Sequence, residues 1–401
     1  MPPTTSVSAQ SRLPGLDLLR AFAIVWVMLT HGGMFGLIGD DNWFAGYGWM
    51  GVDLFFALSG YLIAGQLLRP WARGERPNYS RFFARRLLRT LPAYLVVVAL
   101  YFLFPLLQDR DQIQPLWRFL TFTLNVGVNP MGKSFSHAWS LCVEEQFYLV
   151  LPIAVALLAW RPTTARIVGV VAGLIVLGMT LRGYLWLADV AARPFDITSE
   201  PHGGAYMQLI YYPIWSRLDD LLGGICVALV QVFRPAWWQV LARRGNLATA
   251  IGIAGVGAVM LMFRDGEVAG FFAATFGFPL LALSMSLLVI AGASPRALIG
   301  RWAIPGAGAL AAGAYSLYLS HKIVFHQVGL WSQTWPQAEK SFAFAVAFAA
   351  ALAVGAALYW VVERPFLKLR DRFRSVPLPP SPSWGGTDRE AVRVGESGAG
   401  R

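Results

Sequence analysis

An all-α, polytopic membrane fold with about ten spanning helices follows from three features of the sequence: scarce charge, repeated long apolar runs, and arginines gathered in particular loops. Of the 401 residues, 14% are charged and 56% are apolar, whereas ordinary soluble domains are about 25% charged. That composition excludes a disordered chain and a collagen, and two cysteines exclude a disulfide scaffold. A spanning helix needs roughly 20 apolar residues, so the chain can hold on the order of ten with short loops and little room for a soluble domain. The net charge of +11 would suggest nucleic acid as a partner only if it lay on a soluble, groove-facing surface. Its distribution argues against that partner.

Backbone polar groups in lipid must be satisfied within the segment, so the apolar runs are expected to be helices. They fall near 13–36, 49–68, 91–107, 141–160, 166–188, 211–232, 247–263, 269–291, 306–325 and 341–361. The loop from Arg69 to Arg89 carries seven arginines against the single Glu75, which places it on the cytoplasmic side. Alternation then puts most basic residues inside and collects Asp40, Asp109, Asp111, Asp189 and Glu200 in outer loops. Both termini are therefore expected in the cytoplasm. The division is a cytoplasmic tail at 1–12, a transmembrane domain at 13–374, and a Pro, Gly and Ser-rich disordered tail at 375–401. The opening residues lack a signal-peptide pattern, so the first span is expected to be retained. Cys142 and Cys226 have no ligand-like spacing, and no metal is expected.

Charged groups inside a membrane helix cost several kcal/mol and are functional candidates by default. The first span holds Asp17, Arg20 and His31. Arg20 and His31 are eleven residues apart, which puts them about 20° from one helix face and about 16 Å apart along the axis. Ile24 and Val27 lie on the stripe between them, which either lines a path for an extended ligand or packs against another helix. His31, toward the outer end, is a candidate general base for an external acceptor. Asp53, at a similar depth in the second span, is a candidate carboxylate partner for that imidazole or a headgroup-level residue. Glu144 and Glu145 open the fourth span; adjacent residues diverge by about 100°, so one at most faces His31. Either assists catalysis, holds the arginines, or serves the helix start.

The run from Arg81 through Arg85, Arg86 and Arg89 to Pro92 has the pattern of an interfacial amphipathic helix leading into the third span. Arginine forks suit phosphate, and equally topology and lipid headgroups. Arg217 and Asp219, and His321 with Lys322, are further intramembrane candidates without assigned roles. His137, His202 and His326 are expected to be solvated or structural.

Six ordered segments resemble the acyltransferase family 3 proteins, bacterial membrane O-acyltransferases that modify cell-surface polysaccharides, lipid-linked sugars and some antibiotics. They are Leu16-Asp17-Leu18-Leu19-Arg20 with His31, Gly51-Val52-Asp53-Leu54-Phe55-Phe56 through Gly60, Arg85-Arg86-Leu87-Leu88-Arg89, Trp139-Ser140-Leu141-Cys142-Val143-Glu144-Glu145-Gln146, Tyr315-Ser316-Leu317-Tyr318-Leu319-Ser320-His321, and Glu363-Arg364-Pro365. Ser320 stands where the family commonly has Trp, and no C-terminal hydrolase-like domain of the kind some members carry is expected. The resemblance covers nearly the whole chain. It implies that acyl-CoA, most often acetyl-CoA, is the donor from the cytoplasm and that a hydroxyl of a surface or lipid-linked glycan is the acceptor. Arg85, Arg86 and Arg89 would hold the donor's phosphates, and His31 would act as general base or brief acyl carrier, with Arg20, Asp53 and Glu144 in support. The competing expectation is a proton-coupled transporter or flippase of lipid-linked sugars with a relay through His31, Asp53 and Glu144.

Overall fold

The computed structural model describes residues 13–372 apart from 40, 131, 161–162, 194–203 and 265–269; the expected tails and His202 lie outside the described residues. The principal helices are α1 (Pro14–Met34), α2 (Met50–Ala72), α3 (Tyr79–Leu103), α4 (Trp139–Trp160), α5 (Thr164–Leu185), α6 (Asp219–Phe233), α7 (Pro235–Arg243), α8 (Gly245–Met262), α9 (Phe278–Ala293), α10 (Ala307–Trp331), α11 (Gln337–Leu358) and α12 (Arg364–Arg372). Among the described residues the β content is one isolated bridge, Ile113 to Ser134.

Local chemistry sets many of the ends. Pro14 opens α1, where its missing N–H costs nothing. Asn78 caps α3 by accepting from the Arg81 amide at 2.8 Å, and Thr163 caps α5 by accepting from that of Arg166 at 3.2 Å. The expected 91–107 span and the arginine run before it are one continuous helix of 25 residues that carries Pro92 in its interior. Proline costs only one backbone bond there, a loss that packed neighbours can absorb. The arginines therefore stand on the membrane-crossing helix itself and not on a separate interfacial one.

Eight segments among the described residues are long and apolar enough to cross a membrane: 14–34, 50–72, 79–103, 136–158, 164–190, 245–262, 273–293 and 337–372. The pair α6 and α7, bent by 114°, makes a ninth if it is one broken span. The bend falls at Arg234, whose backbone is not helical, next to Pro235 at the start of α7. The helix expected at 211–232 begins only at Asp219, after Pro213 and a 3₁₀ turn at Ile214–Ser216. The remaining expected span, 306–325, corresponds to α10, which is 25 residues long but is diluted by Ser316, Ser320, His321, Lys322, His326 and Gln327.

α1 lies at the centre, against α2, α9 and α10, while α2 packs along α6 and α10 along α11. The α2–α6 seam is close because Gly60 and Gly224 face it. A Cβ at Gly60 would stand 2.2 Å from the Leu221 carbonyl oxygen, and one at Gly224 2.1 Å from that of Ala57. Backbones this near are how membrane helices gain dispersion energy where lipid offers no hydrophobic drive.

Candidate active site

Two cavities lie toward opposite ends of α1. The first, about 250 Å³, is lined by Arg20 of α1, Arg85, Arg86 and Arg89 of α3, Arg370 of α12 and a single carboxylate, Glu144 of α4. All three arginines of the α3 run thus converge with Arg20. Arg20 stays near Asp17, 3.6 Å away and partly exposed. The Arg86 guanidinium lies 5.4 Å from the centre of the Tyr148 ring, and its Nε is buried without a partner. Glu144 is held by Ser59, which donates at 2.7 Å, and by the Tyr148 hydroxyl, which donates at 2.9 Å. Five arginines facing one carboxylate leave a strong positive excess that a polyanion would neutralise. Through Gln66 and Arg85 this cavity adjoins a second basic one of about 330 Å³, lined by Arg69, Arg73, Arg76 and Arg81.

At the other end of α1, a cavity of about 620 Å³ is walled by Trp43, Tyr47, Trp49, Trp139, Tyr211 and Tyr212, with Thr30, His31, Ser136, His137 and one arginine, Arg264, as polar groups. His31 Nδ1 lies 2.7 Å from Nε2 of His321 on α10, and His321 Nδ1 lies 3.0 Å from the Leu317 carbonyl. A carbonyl can only accept, so His321 carries its proton on Nδ1; its Nε2 is then the acceptor, and His31 Nδ1 the donor. The chain of two imidazoles leaves His31 Nε2 with a free lone pair. Beside them, Lys322 pairs with Asp109 at 2.8 Å and donates to Ser136 at 3.1 Å. Burial alone would raise the Asp109 carboxyl. The Lys322 ammonium and the Phe135 amide, which donates at 3.0 Å, outweigh it and hold the group down at about 2.

The two cavities have Val52 and Tyr318 as common lining residues. The Tyr318 hydroxyl lies 2.8 Å from the His137 carbonyl, which accepts from it, and 2.7 Å from Ser140 Oγ, which itself lies 3.2 Å from the same carbonyl. Arginines on one side of this neck and histidines on the other correspond to the first and third of the sequence segments singled out above. A family model described as an acyltransferase domain matches residues 13–361.

The chain belongs to that acyltransferase family. Among curated proteins it is similar to O-acetyltransferase OatA of Staphylococcus aureus, at 25% identity over 332 residues covering 77% of this chain and 50% of that protein. It is also similar to the peptidoglycan O-acetyltransferase OatA of Listeria monocytogenes, at 27% identity over 57% of this chain and 36% of that protein. A putative peptidoglycan O-acetyltransferase of Bacillus subtilis, YrhL, is 29% identical over 54% and 33%. The chain spans half or less of the length of these relatives. No solved structure matches it.

Within this acyltransferase domain the remaining candidates separate. Asp53 does not reach the His31 imidazole as a hydrogen-bond partner; it pairs with Arg217, and both side chains are fully buried. The Arg217 guanidinium sits 4.3 Å from the Phe278 ring centre, 4.7 Å from Tyr211 and 5.6 Å from Trp139, so the pair stands behind two walls of the aromatic cavity. Asp219 forms a second buried pair with Arg182, at 2.7 and 3.2 Å. Ile24 of the α1 stripe is fully buried core, whereas Val27 lines the aromatic cavity. Glu144 lines the arginine cavity, and Glu145 is not among its lining residues. His326 is half-buried, with its ring 5.6 Å from that of Phe35.

His137 was expected to be solvated or structural, and the structure excludes the solvated alternative. It is 3% exposed, lines the aromatic cavity, and its ring lies 5.9 Å from that of His31 and 5.4 Å from that of His321. Its place directly before the helix that carries Ser140 and Glu144 was the available signal. Among the described residues no group of His, Cys, Asp and Glu has the arrangement of a metal site, and Cys142 and Cys226 are free thiols.

Proposed function

We propose that the protein is a bacterial inner-membrane O-acetyltransferase that moves an acetyl group from cytoplasmic acetyl-CoA to a hydroxyl of a cell-surface glycan, the peptidoglycan named in its relatives being the first candidate. The observation that carries this reading is the meeting of two chemically opposite cavities at one neck, with the free Nε2 of His31 on the side away from the arginines. The arginine-rich loops argue for that side being cytoplasmic.

Arg20, Arg85, Arg86 and Arg89 hold the donor's phosphates, and the adjoining basic cavity with Arg69, Arg76 and Arg81 gives room for its nucleotide. The thin acyl-bearing arm extends to the neck at Tyr318. Trp and Tyr faces of the larger cavity offer apolar surface to the C–H face of a sugar ring, and a few polar groups fix its orientation. His31 Nε2 takes the proton of the acceptor hydroxyl as its oxygen attacks the thioester carbonyl. The new C–O bond forms, the C–S bond breaks, and the imidazolium returns its proton to the departing thiolate. His321, accepting from Nδ1, steadies the charge on the His31 ring while the proton is there. Because the cavities are distinct, donor and acceptor bind together and the kinetics are those of a ternary complex; ping-pong kinetics would instead indicate an acyl-imidazole.

The transporter reading needs His31, Asp53 and Glu144 in one relay. They stand respectively against His321, Arg217 and Ser59 with Tyr148, so no specific contact favours it. Purified protein given labelled acetyl-CoA and soluble peptidoglycan fragments should transfer label. His31→Ala should abolish transfer while acetyl-CoA binding persists, and full activity in that variant overturns the assignment.

A further inference from the structure

We infer that His137 is an acceptor-binding residue, a ring that hydrogen-bonds the hydroxyls of the sugar while His31 removes the reacting proton. The inference rests on the acyl-transfer reading for its chemistry, but its observations are separate from those on His31 and the arginines.

The His137 side chain is 3% exposed, and neither ring nitrogen has a hydrogen-bond partner. The backbone at Leu319 comes near the ring without hydrogen-bonding geometry. Four rings hold it edge to face: Phe135 at 5.0 Å, Tyr318 and His321 each at 5.4 Å, and His31 at 5.9 Å. Its backbone carbonyl is fixed by the Tyr318 hydroxyl. A buried polar group without a partner is normally costly and rare, yet this one is tightly oriented and borders the largest of the cavities described above.

A neutral imidazole offers one donor and one acceptor on opposite sides of a flat ring. A sugar hydroxyl both donates and accepts, so it can satisfy whichever ring nitrogen meets the cavity, whereas an acyl chain or the thioester group itself offers no donor. The imidazole stands at the end of the cavity that holds His31 and Ser136, and stacking surface from Trp49, Tyr211 and Tyr212 lines the same space. His137 therefore adds to the aromatic walls the directional contact that selects a polyhydroxylated ring and sets which hydroxyl meets His31.

The test uses the full-length protein in detergent and a soluble peptidoglycan disaccharide as the probe, titrated without donor. His137→Phe keeps the ring and its packing and removes both nitrogens, and should weaken disaccharide binding roughly tenfold or more. His137→Asn, with an amide that can both donate and accept, should recover part of that loss. Acetyl-CoA affinity and the thermal unfolding midpoint should stay at wild-type values in at least the Asn variant, which keeps the test open if the Phe variant fails to fold. Equal disaccharide affinity in wild type and both variants, or no binding by the wild type, overturns the inference. Failure of the acyl-transfer reading appears elsewhere, as a wild-type protein that binds the disaccharide but neither binds acetyl-CoA nor transfers its acetyl group.

Discussion

Replacing Asp53 with Asn separates a structural from a chemical role for the carboxylate that the sequence placed nearest the histidine. Asp53 and Arg217 are both fully buried, so no solvent screening softens the loss of one partner. Asp53→Asn leaves the guanidinium, enclosed by Phe278, Tyr211 and Trp139 with its Nε and Nη1 already unpaired, facing Asp220, a buried carboxyl that hydrogen-bonds Asp53. Removing one member of a buried pair costs about 3–5 kcal/mol, a loss of between a hundred and a few thousand in the folded-to-unfolded ratio. The double variant Asp53→Leu, Arg217→Met, made in an Asp220→Asn background, removes all three ionisable groups of the cluster and should regain most of that stability, since apolar replacement of a buried pair is often neutral. Thermal unfolding of detergent-solubilised protein, followed beside acetyl transfer, gives both quantities. Activity should follow stability: low in the single variant at 37 °C and largely restored in the double. A double variant that is as stable as wild type but inactive would refute this reasoning and return Asp53 to the reaction.

His321→Phe removes the acceptor of the His31 Nδ1 proton and should lower kcat by about 10²–10⁴ with little change in donor KM; a kcat within twofold of wild type would show that the pairing of the two rings is idle. Arg85→Ala, Arg86→Ala and Arg89→Ala should each raise the acetyl-CoA dissociation constant roughly ten- to a hundredfold while leaving acceptor affinity unchanged, and unchanged donor affinity would make them topology signals only. The Asp109 carboxyl, held at about 2 against an ordinary 3.8, contributes stability that is complete above the ordinary value and is lost as pH falls toward 2. Pepsin should accordingly spare the 104–135 segment at pH 4 in the wild type and cut it there in Asp109→Asn; identical cleavage at pH 4 would remove the ion pair from the account.

Much of the helical layout was legible because its causes are local. Apolar runs, caps such as Asn78 and Thr163, and charge asymmetry around Glu75 act within a few residues. The continuity of α3 through Pro92 was not legible, since it depends on neighbours that make good a missing hydrogen bond. The eleven-residue spacing of Arg20 and His31 correctly placed them toward opposite ends of one helix. Their partners come from far along the chain: His321 is 290 residues from His31, and Arg217 is 164 from Asp53. A carboxylate at the right depth is a reasonable guess for an imidazole's partner, but depth does not determine azimuth, and Asp53 faces the Arg217 side. The burial of His137 was not legible for a related reason: a histidine just before a helix looks exposed until the aromatic rings of Phe135 and Tyr318 are folded over it.

On the proposed reading, with the donor entering from one face of the bilayer and the acceptor from the other, two opposed cavities are also a potential leak. Water-filled recesses on either side of a thin barrier would carry protons through any continuous file of hydrogen bonds. Both the Tyr318 and the Ser140 hydroxyls lie within donating distance of the His137 carbonyl, an acceptor that cannot pass a proton on, and Val52 offers only carbon beside them. On that reading the neck would interrupt such a file and act as an electrical insulator, so that the membrane potential would drop across a short stretch of tyrosine and valine while a small uncharged acyl group could still be taken from one side by a nucleophile on the other.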